Sequence, residues 1–213
     1  MKRILFIIGM LSGVLSLQAQ NLKTWFIAMP DSIAPLLTKV NREDFVDFLE
    51  SDMKAEVKNR FGNPSELKKL TDDYLFLQTT GRSSMEMKLL PLNDSVKVLC
   101  VVTTACGPVC DSSIRFYDAQ WQQLPASRFL QMPDADAFYQ PAPDTLSAEE
   151  YAEIRKKADM DLMKANLCEE NTELAFTYTT PEYMPKEDRE KLVPFLKQAP
   201  LVYEWKEGKY VSR

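Results

Sequence analysis

The chain has 213 residues, a formal charge of −5 and no histidine. The acidic balance argues against a nucleic-acid partner, which needs clustered Lys and Arg. The missing imidazole removes Ser-His-Asp and Cys-His catalysis, histidine-based zinc or iron sites, and the commonest general base near neutral pH.

Lys2 and Arg3 precede an apolar run from Ile4 to Leu17, and Leu17-Gln18-Ala19 offers a small residue for a signal peptidase. This is the pattern of a cleaved secretory signal over residues 1–19, with a mature start at Gln20. The expected location is periplasmic or secreted. No Cys follows the apolar run to take a lipid, and no later stretch is apolar enough for a transmembrane anchor. Hydrophobic content of 45% and charged content of 27% describe an ordinary globular protein. Six Gly leave few phosphate-cradling loops, and neither GxGxxG nor GxxxxGK[ST] occurs. No cofactor is expected.

In chain order, Asn21 to Ala28 reads as an opening strand carrying Leu22, Trp25 and Ile27. Met29-Pro30-Asp31 breaks it. A brief helical turn follows, with Ile33, Leu36 and Leu37. Asn41 then opens a helix to Met53, with Phe45, Phe48, Leu49 and Met53 at 3–4 spacing. Ala55 to Phe61 reads as a strand by alternation, although Met53, Val57 and Phe61 also step by four. Leu67 to Leu70, Tyr74 to Thr79 and Met85 to Leu92 read as short antiparallel strands, because their connections are too short for parallel crossovers. Ser95 to Ala105 is apolar on both faces, with Val96, Val98, Cys100 and Val102 on one and Leu99 and Val101 on the other. That marks a central strand.

Beyond Pro141 and Pro143, Ser147 and Glu150 form a capping box for a helix from Ala148 to Asp159. Leu174, Phe176 and Tyr178 alternate as a half-buried strand. Lys186 to Lys197 is helical with a break at Pro194. Several features of the first half recur in the second: Met-Pro-Asp at 29–31 and 132–134, Met-Lys at 87–88 and 163–164, Thr-Thr at 103–104 and 179–180. The expected architecture is α+β, a mostly antiparallel sheet with helices on one face. Two similar helix-plus-meander halves, 20–125 and 126–213, would explain the recurrence. Two unrelated meanders of like composition would explain it too.

Candidate chemistry is sparse. Asp72-Asp73, Asp159 with Asp161, and Glu169-Glu170 are the close carboxylates, and they sit at turns or a helix exit. Ser65 and Lys68 have Ser-x-x-Lys spacing, but on a strand they point to opposite faces. Cys106 and Cys110 enclose Gly107-Pro108-Val109. Thioredoxin-type sites have two intervening residues and a helix after the first Cys, whereas a strand follows here. A structural disulfide between Cys106 and Cys110 fits better in an oxidising compartment. Cys100 and Cys168 lie on strands of different halves and are either free thiols, which the core position of Cys100 favours, or an inter-half bridge. No metal site and no catalytic residue are assigned. Tyr117, Trp121, Tyr203 and Trp205 sit at two hairpins. They are either anchors for a partner or plugs in the core.

Met-Pro-Asp-Ser-Ile at 29–33, Leu-Thr-Asp-Asp-Tyr-Leu at 70–75, Met-Lys-Leu-Leu-Pro-Leu at 87–92 and Ser-Ile-Arg-Phe-Tyr-Asp at 113–118 carry a resemblance. The chain resembles an uncharacterised family of secreted Bacteroidales proteins that bears only a domain-of-unknown-function label. The resemblance implies a Gram-negative exported protein and supplies no activity, ligand or catalytic residue. It also implies O-glycosylation at Asp-Ser/Thr-aliphatic tripeptides, here Ser32, Ser95 and Thr145. The expected function is that of an exported, non-catalytic binding or envelope-associated protein whose partner is a protein or a glycan. The alternative is a carboxylate-dependent hydrolase acting on glycan or peptidoglycan.

Overall fold

The computed structural model describes residues 21–144 and 146–213. The expected signal segment, Gln20 and Thr145 lie outside the described residues. Helix α1 (Leu22–Ala28) opens the fold, and Asn21 caps it by accepting the Thr24 N–H at 3.0 Å. A strand was expected here. Leu22, Trp25 and Phe26 fall at 3–4 spacing and are all buried, which a helix allows. A strand would turn Trp25 and Phe26 to opposite faces. Helix α2 (Lys39–Glu50) begins earlier than expected. Thr38 is its cap, and Asn41 closes the capping box from inside the first turn.

Seven strands follow: β1 (Glu56–Lys58), β2 (Pro64–Leu70), β3 (Tyr74–Thr80), β4 (Ser83–Pro91), β5 (Lys97–Cys106), β6 (Cys110–Tyr117) and β7 (Gln123–Leu124). They pair antiparallel with their sequence neighbours in one sheet, so the first sheet is a simple meander. After β7 come helix α3 (Ala148–Arg155), β8 (Met163–Leu167), β9 (Leu174–Tyr178), α4 (Thr180–Tyr183), α5 (Lys186–Leu192), β10 (Leu201–Lys206) and β11 (Lys209–Ser212). Ser147 and Glu150 form the expected capping box at α3, which ends at Arg155, short of Asp159. Strands β8 to β11 make a second antiparallel sheet in the order β11-β10-β9-β8.

The layers follow from the two faces of the first sheet. On β4, Met85, Met87 and Leu89 point to α1 and α2, with Leu22, Trp25, Phe26 and Phe45 opposite. On β5, Leu99 and Val101 join that core, while Val98, Cys100 and Val102 face the second sheet. There they meet Ala165, Leu174, Phe176 and Tyr203. Each large side chain buried in these layers contributes about 1.5–3 kcal/mol by removal from water. The described residues up to 125 build the α1/α2 layer and the first sheet, and those from 126 on build the second sheet. The strand counts differ, and α3 and α5 do not cover the second sheet. They pack around Tyr139, Met184, Leu192 and Leu196 in a smaller cluster.

Candidate binding groove

Buried charge marks the seam between the sheets. Glu86 and Lys88 alternate with Met85 and Met87 on β4, so they share the face that the second sheet covers. Glu86 is 3% exposed. Its Oε2 accepts the Leu167 N–H at 2.8 Å and the Tyr74 O–H at 3.4 Å, and its Oε1 accepts from Asn166 Nδ2 at 2.8 Å. Burial pushes the Glu86 carboxyl above the usual range, although these donors pull it down. Lys88 Nζ donates to the Glu169 carbonyl at 2.8 Å and pairs with Asp73 at 3.0 Å. Glu86 and Lys88 are thus both buried and engaged with protein partners.

The same seam closes one sheet edge. β8 is an outer strand, and its outward N–H groups recur at every second residue. Met163 N–H donates to Asp111 Oδ1 at 3.0 Å, Ala165 N–H to Ser112 Oγ at 2.9 Å, and Leu167 N–H to Glu86. Side chains of the first sheet therefore occupy the donors that a further strand would need.

At one end of the sandwich, Cys106 and Cys110 form a disulfide across the β5–β6 turn. The Cys106 N–H donates to the Arg82 carbonyl at 2.8 Å, and Thr179 Oγ1 donates to the Cys110 carbonyl at 2.7 Å. The bridged turn is thus tied to the β3–β4 turn and to the second sheet. Cys100 is buried and Cys168 partly exposed, both as free thiols. Burial pushes the Cys100 thiol far above its ordinary value, so it is inert as a nucleophile.

The opposite edge of the second sheet is open. A groove of about 520 Å³ runs between β11 and residues 127–134. Its floor carries Tyr203 and Tyr210, and its rim carries Gln131, Met132 and Asp134. Burial and the Asp134 carboxylate raise the Tyr203 phenol above its ordinary value. A second groove beside Leu92, Asn93 and Val96 shares Arg128 and Lys209 with the first, so these two cations stand at the junction. Arg128 lies over the Phe129 ring at 5.3 Å. Neither Arg128 nor Lys209 has a carboxylate partner among the described residues. Asp134 Oδ1 is occupied in accepting the Ala137 N–H at 3.0 Å.

The four hairpin aromatics are not gathered on one surface. Tyr117 and Trp121 are buried in the core beneath α1, with Trp25 and Trp121 edge-to-face at 6.2 Å. They plug the space between helix and sheet and cannot anchor a partner. Tyr203 is buried against Phe176, with only its edge in the groove. Trp205 is half-buried, stacks on Phe129 at 6.2 Å and donates to the Pro91 carbonyl at 2.7 Å. Their expected binding role therefore falls away for Tyr117 and Trp121 and shrinks to a supporting one for Tyr203 and Trp205. Ser32 and Ser95 are exposed in turns. The cations at the groove were not singled out from sequence, because Arg128 and Lys209 are 81 positions apart and belong to no motif.

Among the described residues, no cluster of three His, Cys, Asp or Glu side chains could hold a metal ion. No helix among them is long and apolar enough to cross a membrane. The two grooves contain one carboxylate each, Asp134 and Glu207.

Similarity to other proteins points in one direction. The family model described as "Protein of unknown function (DUF3256)" matches residues 14–210. A solved structure of a domain of an uncharacterized protein from Porphyromonas gingivalis W83 aligns with a TM-score of 0.79 and 31% identity, covering 90% of this chain and 98% of that one. No curated protein matches.

Proposed function

We propose, for a chain that belongs to the DUF3256 family, an exported protein that works by binding and not by catalysis. One observation carries this reading: the ionisable groups buried between the sheets are consumed in holding the sheets together, while the open groove at β11 presents unpaired cations and exposed main chain. Glu86 has three donors and no path to a substrate. Asp134 and Glu207 stand singly in their grooves, whereas a glycoside hydrolase of the usual kind needs two carboxyls flanking one bond. The disulfide between Cys106 and Cys110 supports an oxidising compartment. The basic start and apolar run of residues 2–17 support export with cleavage before Gln20. O-linked sugar at Ser32 and Ser95, both exposed, belongs to the same reading.

A photo-crosslinking residue at Gln131 tests the groove, with the same residue at Lys186 on α5 as the control. Saturable crosslinking of an envelope component at Gln131 and none at Lys186 supports binding. Release of soluble fragments from peptidoglycan by the purified protein, lost in Asp134→Asn or Glu207→Gln, would replace binding with hydrolysis. The intact mass of the exported chain checks the cleavage: a mass that retains residues 1–19 removes the export reading.

A further inference from the structure

We infer that the β11 edge takes an extended, acidic peptide segment of a partner protein as an added strand, in the wedge between Ser212 and residues 130–134. This rests on the reading of that groove as a binding face and names what it binds. β11 is the outer strand of the second sheet. Its Tyr210 N–H points outward and donates to the Phe129 carbonyl at 2.7 Å. Antiparallel pairing alternates inward and outward residues, so Ser212 N–H and C=O must also point outward. The Arg213 N–H, one residue on, turns back to the Val202 carbonyl at 2.9 Å, which confirms the phase. No hydrogen bond occupies the outward groups of Ser212 or the Tyr210 carbonyl among the described residues.

The other sheet edges are managed. β8 has its outward N–H groups taken by Asp111, Ser112 and Glu86. β1 has three residues and β7 two, shorter than the four of β11. At β11 the covering segment touches once, at Phe129, and then diverges to leave the groove. The groups left open are the Tyr210 carbonyl and the N–H and carbonyl of Ser212, on outward residues two positions or roughly 6.8 Å apart along the strand. That is the repeat of an extended polypeptide, and a sugar chain does not match it. Peptides add to sheet edges in this way, with main-chain bonds for affinity and flanking side chains for selection.

Charge selects among peptides. Arg128 and Lys209 lack carboxylate partners at the junction of the two grooves, and each groove sets the two cations against a single carboxylate, Asp134 or Glu207. Pairing two β11 strands about Val211 would need the Tyr210 N–H that the Phe129 carbonyl already takes, and would set Lys209 against Arg213, so a second copy of this chain is a poor occupant in that register. An acidic segment meets both cations.

The test uses the exported protein, isotope-labelled, and three synthetic peptides. The first is acetyl-Glu-Val-Glu-Val-Glu-amide. The second carries N-methyl groups on alternate amides, and the third has Lys in place of Glu. The expected result is saturable binding of the first peptide with at least tenfold slower exchange of the Ser212 amide hydrogen. The N-methyl peptide gives no protection, and the Lys peptide binds at least tenfold more weakly. Lys209→Glu reverses the preference between the Glu and Lys peptides. An unchanged Ser212 amide at millimolar peptide, or equal binding of the N-methyl peptide, overturns the inference. So does protection that grows with protein concentration alone, which would mark self-association. If chitotetraose or a peptidoglycan fragment perturbs the groove residues while the peptides do not, strand addition fails and the binding reading survives. If no probe perturbs the groove and nothing crosslinks at Gln131, both fail.

Discussion

Glu86 and Leu167 lie 81 residues apart and meet where the two sheets face each other, the carboxylate accepting the backbone N–H at 2.8 Å. A side chain of one sheet thereby completes the edge of the other. The arrangement costs a desolvated carboxylate, which is offset by bonds from Leu167, Asn166 and Tyr74.

Removing that side chain leaves buried donors behind. Glu86→Ala is expected to lower stability by about 2–3 kcal/mol, since unsatisfied buried donors cost roughly 1–3 kcal/mol each and the loss of a desolvated charge returns part of it. Urea unfolding measures this. A change below 0.5 kcal/mol, on the order of a neutral surface substitution, would mean that the bond is not holding the seam.

The same residue gives a pH dependence of definite sign. Burial raises the folded-state pKa of Glu86 above its ordinary 4.5. The folded chain then binds this proton more tightly than the unfolded chain, so the stability this group contributes is full below about 4.5 and declines as pH rises through the raised value. Glu86→Gln cannot titrate and lacks the slope. Stability of the parent relative to Glu86→Gln should therefore fall with rising pH across this window. A difference that is flat in pH, or that grows with it, contradicts the assignment.

Thiol counting settles the cysteines. Denatured, unreduced protein is expected to show two free thiols, Cys100 and Cys168, and reduction should expose two more. The bridge closes a short loop, so chain entropy gives it about 2 kcal/mol. Cys106→Ser with Cys110→Ser should lower stability by no more than that. Because a strand and not a helix N-terminus follows the bridge, the protein should not reduce an added disulfide substrate at a measurable rate.

Arg42 ties α2 to the chain before it. The side chain is 2% exposed and donates to the Met29 carbonyl, to the Leu37 carbonyl at 3.4 Å, and to Asp31 at 3.1 Å. This is a fork geometry that an ammonium cannot copy. Arg42→Lys is expected to cost about 1–3 kcal/mol, because carbonyls left without donors are not rescued by the retained charge. Calorimetric melting of the variant checks it, and an unaltered midpoint would show that the fork is dispensable.

Local periodicity and capping were legible in the sequence. Strands β3 to β5 follow from alternation and short turns, α3 from Ser147 and Glu150, and the Cys106–Cys110 pairing from two cysteines four positions apart around Gly107-Pro108. All of these depend on neighbours along the chain. Even there, the α1 segment reads as a strand from sequence, because seven residues carry too few periods to separate 3.6 from 2. What lay on each strand face could only come from the tertiary structure. Met85-Glu86-Met87-Lys88 reads as a strand with one wet face, yet the second sheet covers that face and buries both charges. Tyr117 and Trp121 read as either anchors or plugs until α1 lay over them. The open edge at β11 exists because residues 130–134 diverge after Phe129, and the closed edge at β8 because Glu86, Asp111 and Ser112 reach it from the other sheet. The chain's own periodicity sets which residues share a face. Contacts between segments some 50 to 80 residues apart decide whether that face meets water, a core or a partner.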